Sequence, residues 1–301
     1  MKNNSKAHKN KRIFKITAIV LAVIVSFILA TLIITPLVIV KPSHNEEACK
    51  ELTLIELEVL MAESRPLNIP LVEDVSINTS QGKLSGWVLH NSANTYSGNY
   101  DILVYFGGRD EDASSSALRF FQQMADDGYF KNVDIAVIDW PGYGLSEGRA
   151  TEISMKESAC AICNYFKAQK NISNVYVCGY SLGCGPATYA ASKSDVAGLV
   201  LVAPYHSAYD LYNRYTPCFY GPMRLLITFK MEAYKFAQDV SVKPLIIYSK
   251  ADKVIPNEST ENLAANFPKG FECIVLPYAA HGDLMKDSVT LNAIDNFFNN
   301  R

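Results

Sequence analysis

Hydrophobic positions along this chain follow three patterns in succession. From Ile16 to Val40 almost every residue is apolar, interrupted only by the uncharged Thr17, Ser26, Thr31, Thr35 and Pro36. About 20 such residues cross a bilayer as a helix. A secretory hydrophobic region is shorter, about 7–15 residues, and no clear A-x-A cleavage site follows. The run therefore predicts one transmembrane helix over 16–40, acting as an uncleaved signal anchor. Residues 41–70 come next, with helical spacing in KPSHNEEACKELTLIELEVLMAES and two prolines in ESRPLNIP, and are expected to form a stalk.

From residue 71 onward, short continuous apolar runs alternate with helical spacing. Strands are expected at 84–90, 101–106, 134–139, 175–179, 197–203, 244–249 and 272–277. Several are rich in Val and Ile without polar alternation, as strands buried on both faces are. Helices are expected near 113–127, 154–169, 182–193, 258–266 and 285–299. This alternation predicts an α/β domain over 71–301 with a mostly parallel sheet and helices on both faces. The Tyr- and Phe-rich stretch 205–240 breaks the rhythm and is expected to be a short lid above the carboxyl edge of the sheet. The plainer alternative is a peripheral helical excursion whose aromatics only pack.

Charge changes the picture mainly at the N-terminus. The 301 residues carry 28 Lys and Arg against 30 Asp and Glu, a balance that gives no reason to expect nucleic acid as partner. Residues 1–15 form a basic tail with Lys2, Lys6, Lys9, Lys11, Arg12 and Lys15 and no acid. The positive-inside rule then puts the N-terminus in the cytoplasm and the residues after the membrane helix outside. The seven cysteines do not form a dense framework. Cys160 and Cys163 form a C-x-x-C with no second pair at metal spacing, within what reads as an amphipathic helix. Packing is the expected role for them, and for Cys178 and Cys184.

The chemistry concentrates in Gly179-Tyr180-Ser181-Leu182-Gly183, a G-x-S-x-G between a predicted strand and a predicted helix. Such a turn exposes the serine hydroxyl at a helix N-terminus and aims the next N–H, that of Leu182, at a developing oxyanion. A serine needs a base. Among His8, His44, His90, His206 and His281, only His281 follows the last strand with an acid-bearing loop before it. That acid is Asp252, in PLIIYSKADKVIP, giving the order Ser, Asp, His. Asp210 and Asp239, near the ends of the lid region, are weaker alternatives. The second oxyanion donor is expected from the loop after DILVYF, with the N–H of Gly108 first and that of Arg109 next.

With FGG (106–108), GYSLG (179–183), SKADKVIP (249–256) and AAHGD (279–283), the stretch DWPGYGLSEGRATE (139–152) resembles the α/β hydrolases of the serine-aminopeptidase and monoacylglycerol-lipase-like group. The anchor and short lid are similar to its membrane-anchored branch, which includes depalmitoylase-like proteins. The resemblance implies the hydrolase fold, triad roles for Ser181, Asp252 and His281, ester or amide substrates and no cofactor. Two positions depart from the pattern: Phe106 stands where the group has His, and Pro141 where it has Arg. The expected function is hydrolysis of a carboxylic ester or thioester, with lipid-like acyl groups favoured by the anchor and the aromatic lid. A rival is a peptidase, for which Glu232 and Asp210 would hold the substrate's amino group. A catalytically silent binding protein is a third reading, against which the complete triad argues.

Overall fold

The structure, a computed structural model, describes residues 2–61, 69–91 and 99–299. Helix α1 (Lys2–Ile39) takes in both the basic tail and the apolar run. Its stretch Asn10–Ile39 is long and apolar enough to cross a membrane. At 1.5 Å per residue those 30 residues extend about 45 Å, more than the ~30 Å of hydrocarbon. Helix α2 (Glu46–Met61) falls in the segment expected as a stalk, and it packs against the domain. Leu52 is fully buried there, and Ala48 and Val59 are nearly so. Burying a leucine is worth roughly 1.5–3 kcal/mol, so α2 is docked rather than a loose spacer. The end of that segment, 62–68 with Pro66, lies outside the described residues.

The sheet comprises β1 (Leu71–Thr79), β2 (Gly82–His90), β3 (Tyr100–Phe106), β4 (Val133–Ile138), β5 (Ile172–Tyr180), β6 (Gly198–Val202), β7 (Leu245–Ser249) and β8 (Glu272–Leu276). Their order is β1-β2-β4-β3-β5-β6-β7-β8. β1 pairs antiparallel with β2, and β2 with β4; the rest are parallel. This mostly parallel eight-stranded sheet is the α/β-hydrolase fold. The seven expected strands are β2 to β8. β1 carries no continuous apolar run: Val72, Val75 and Ile77 are buried, while Glu73, Asp74 and Ser76 face solvent. Partial exposure suits an antiparallel edge strand, and the adjacent acids break its period of two.

Between the strands run α3 (Ala113–Ala125), α4 (Glu152–Lys167) and α5 (Cys184–Lys193). Asp112 and Thr151 begin α3 and α4 with reciprocal caps, each accepting the N–H of a serine three residues on. The 205–240 insert holds α6 (Ala208–Tyr215), a 3-10 helix at Gly221–Leu226 and α7 (Ala233–Ala237). After β7 come α8 (Asn257–Ala264) and, beyond β8, α9 (Ser288–Asn299). The core follows the sequence: every residue of β4, β6 and β7 is buried.

Candidate active site

Ser181 sits where β5 gives way to a 3-10 turn, Ser181–Gly183, that leads into α5. Its φ of 51° is left-handed, a conformation that non-glycine residues hold only when their surroundings enforce it. The flanking glycines show why the turn closes. A Cβ on Gly183 would lie 2.0 Å from the carbonyl oxygen of Phe106, and one on Gly179 2.7 Å from both Cys184 Cα and Ala187 Cβ. Any side chain at either position would push β5 away from its helix or from the β3 loop.

Three predicted residues from separate loops meet here. Ser181 Oγ is 2.9 Å from His281 Nε2, and His281 Nδ1 is 2.7 Å from Asp252 Oδ2. Asp252 follows β7, and its other oxygen accepts the N–H groups of Val254 (2.7 Å) and Ile255 (3.0 Å). A buried carboxylate so held turns a defined edge toward the histidine. His281 opens the 3-10 turn after β8. It is fixed by Tyr180, whose hydroxyl donates to the His281 carbonyl at 2.7 Å and whose ring stacks on the imidazole at 5.4 Å. Tyr180 is the variable position of G-x-S-x-G, so sequence reasoning passed over it.

The two N–H groups expected on the oxyanion side sit in different surroundings. Gly108 lies beside the nucleophile, its Cβ position 3.5 Å from Ser181 Cβ. Its N–H, however, donates to Glu111 Oε2 at 3.1 Å and is therefore engaged. Arg109 N–H makes no hydrogen bond among the described residues. Of the two N–H groups expected from this loop, that of Gly108 is thus engaged and that of Arg109 has no partner among the described residues. Leu182 N–H lies in the first turn of the 3-10 helix, where N–H groups lack intrahelical partners.

Glu111 is the hub beneath this loop. Besides Gly108 it receives the Tyr105 hydroxyl at 2.7 Å and is ion-paired with Arg119 of α3. Burial alone would raise the Glu111 pKa, but the Arg119 charge and these hydrogen bonds outweigh it and hold it below the usual carboxylate range. Arg119 in turn lies over Tyr105 (5.3 Å) and Phe120 (5.1 Å). No local motif announces this pair, because its partners sit eight residues apart on a loop and a helix.

Of the two departures, Phe106 acts by packing, and Pro141 is buried in the loop after Asp139. Phe106 stacks on Trp140 at 5.0 Å, and Trp140 Nε1 donates to Gly107 O at 3.3 Å. Asp139, just before, accepts from Ala113 N (2.6 Å) and Leu145 N (3.0 Å), so the 139–148 loop braces the start of α3. Burial pushes the Asp139 carboxyl up to about 6, against those two hydrogen bonds. The thiols flanking the elbow are buried: that of Cys178 is pushed up to about 12 by burial, and Cys184 Sγ donates to Gly179 O and Val202 O.

A cavity of about 300 Å³ opens over Ser181 and His281. Arg109, Asp110 and Glu111 line one part of it; Leu211 and Tyr215 of α6, Val254, Ile255 and, from α1, Val38 and Ile39 supply the apolar part. The carboxylates considered for a peptidase do not reach it. Glu232 is taken up by Lys235 Nζ (2.7 Å) and the Tyr234 hydroxyl (3.1 Å). Asp210 accepts from Ser259 Oγ at 2.6 Å. His206 stacks on Tyr234 at 4.3 Å.

Residues 106–217 match the family model described as alpha/beta hydrolase fold. An uncharacterized protein of Mycobacterium tuberculosis is 25% identical over 234 residues, covering 76% of this chain and 80% of that protein. Lysophosphatidylserine lipase ABHD12 of Xenopus tropicalis is 25% identical over 214 residues, covering 61% of this chain and 53% of its own length. The chain thus spans about half the length of that lipase. A solved Pyrococcus furiosus esterase superposes with a TM-score of 0.61 at 15% identity, covering 87% of this chain and 97% of the esterase. The family model and the solved structure both agree with the α/β-hydrolase fold described above.

Proposed function

We propose that this α/β hydrolase is a membrane-anchored serine hydrolase that cleaves a carboxylic ester or thioester with a lipid-like acyl group. One observation carries the reading: the hydrogen-bonded line Ser181–His281–Asp252 on the floor of a largely apolar cavity. With Asp252 accepting from Nδ1–H, His281 Nε2 is left to take the Ser181 proton as Oγ attacks the acyl carbon. Asp252 stabilises the imidazolium that forms. The Leu182 and Arg109 N–H groups receive the oxyanion. His281 then protonates the leaving alcohol or thiol and activates the water that releases the acyl group from Ser181. Lipid-like substrates are favoured by the apolar lining and by the lipase among the sequence relatives. The insert 205–240 acts as the lid. Helix α1 anchors the chain, with the basic N-terminus cytoplasmic and the catalytic domain outside.

The test is labelling of the full-length chain in detergent with a fluorophosphonate. Labelling is expected in the wild type, absent in Ser181→Ala, and reduced at least about 10³-fold in rate in His281→Ala. A folded wild-type chain that does not react would defeat the reading.

A further inference from the structure

We infer that the last turn of the membrane helix is a wall of the acyl site, so that the anchor itself selects the acyl chain; this rests on the hydrolase and membrane readings above. Val38 and Ile39 line the same cavity as Ser181 and His281. That turn is bound to the domain and does not merely lie near it. Arg109 Nη1 donates to the Val38 carbonyl at 3.0 Å, and the Tyr212 hydroxyl of α6 donates to the Thr35 carbonyl at 3.2 Å. Just beyond the helix, Ser43 O accepts the N–H of Gly144 at 2.8 Å. The last carbonyls of a helix have no partner within it and carry partial negative charge, so a guanidinium there satisfies both needs.

Burial along α1 draws the same boundary. Thr31, Thr35 and Ile39 are buried at a spacing of four, a stripe turned to the domain; Ile33, Ile34 and Leu37 are exposed, and Val38, 39% exposed, lies at the margin between them. A helix that served only as an anchor would need no such stripe. Arg109 joins this turn to the candidate oxyanion loop, so one side chain links the anchor to the catalytic floor. Opposite, Leu211, Tyr215, Val254 and Ile255 complete an apolar wall. Tyr215, Tyr220 and Leu225 lie exposed on the insert, whose helices touch α1. They continue the lipid-facing surface of α1 toward the cavity, as interfacial aromatics do. The occupant that fits is the acyl chain of a lipid ester from the bilayer that α1 crosses. Each methylene it buries is worth about fourfold in kcat/KM.

The test uses the full-length chain in phosphatidylcholine nanodiscs with p-nitrophenyl esters from butyrate to palmitate. Val38→Trp, which fills the wall, is expected to lower the long-chain to short-chain ratio of kcat/KM by at least about tenfold, some two methylenes' worth. Ile39→Ala is expected to raise that ratio, and it decides the matter if the tryptophan variant misfolds. Leu37→Trp, on the exposed side, is expected to keep the wild-type profile. Unchanged profiles in both wall variants, or an equal shift in Leu37→Trp, would overturn the inference. Loss of wild-type fluorophosphonate labelling would instead remove the hydrolase reading beneath it.

Discussion

Two histidine–aspartate pairs sit at opposite edges of the same sheet. His281 Nδ1 meets Asp252 at 2.7 Å, and His90 Nδ1 meets Asp134 at 2.7 Å. Both imidazoles are 15% exposed and both carboxylates are buried. What differs is the second ring nitrogen. That of His281 faces the Ser181 hydroxyl in a cavity, whereas that of His90 faces Glu73 at 2.9 Å. Burial opposes charge on His90, but Asp134 and Glu73 outweigh it and raise its pKa. A histidine clasped by two carboxylates holds its proton and ties β1 to β2 and β4. A histidine between one carboxylate and a hydroxyl can take a proton and return it. The third group, not the pair, separates a clamp from a site.

The comparison breaks most sharply under matched substitutions. Asp252→Asn is expected to cut kcat/KM by about 10³–10⁴-fold, because the amide no longer fixes the productive tautomer. Asp134→Asn is expected to leave kcat/KM within about threefold and to lower unfolding stability by about 1–3 kcal/mol, read by urea denaturation. Equal losses of activity would erase the distinction. Tyr180→Phe sharpens it on a smaller scale. Removing the hydroxyl that holds the His281 carbonyl is expected to cost about 1 kcal/mol, or about fivefold in kcat, with KM for a short ester little changed. The smallest effect is the pH dependence of the clamp. A histidine with a raised folded pKa contributes stability that is complete below its unfolded value, about 6.5, and fades as pH rises through the folded value. The urea midpoint of the wild type should therefore fall across that window, and His90→Gln should flatten the fall.

Much of this was legible in the sequence because it depends on short-range signals. The strands β2 to β8 appear as apolar runs, and the elbow appears because its glycines are forced by contacts under 3 Å. Chain order and places after strong strands single out His281 and Asp252, and the two lie within hydrogen-bond distance of each other, with His281 also next to Ser181. The parts that escaped depend on distant partners. Nothing near Gly108 tells that its N–H is held by Glu111, since Glu111 itself is oriented by Arg119 of α3. β1 hides because two adjacent acids, Glu73 and Asp74, interrupt its apolar alternation. The cavity that Val38 and Ser181 both line joins residues far apart in the chain, and hydropathy reads Val38 only as more of the same apolar run.

The bonds from Arg109 and Tyr212 to the end of α1 carry a geometric consequence. A catalytic domain on a slack tether samples many heights and tilts above a bilayer. On the proposed membrane reading, these bonds would hold the helix end against the domain and set the distance from the membrane plane to Ser181. A protein built that way would behave as a ruler: of the ester bonds drifting past in two dimensions, those at the right depth would meet the serine, and those too deep or too shallow would pass by.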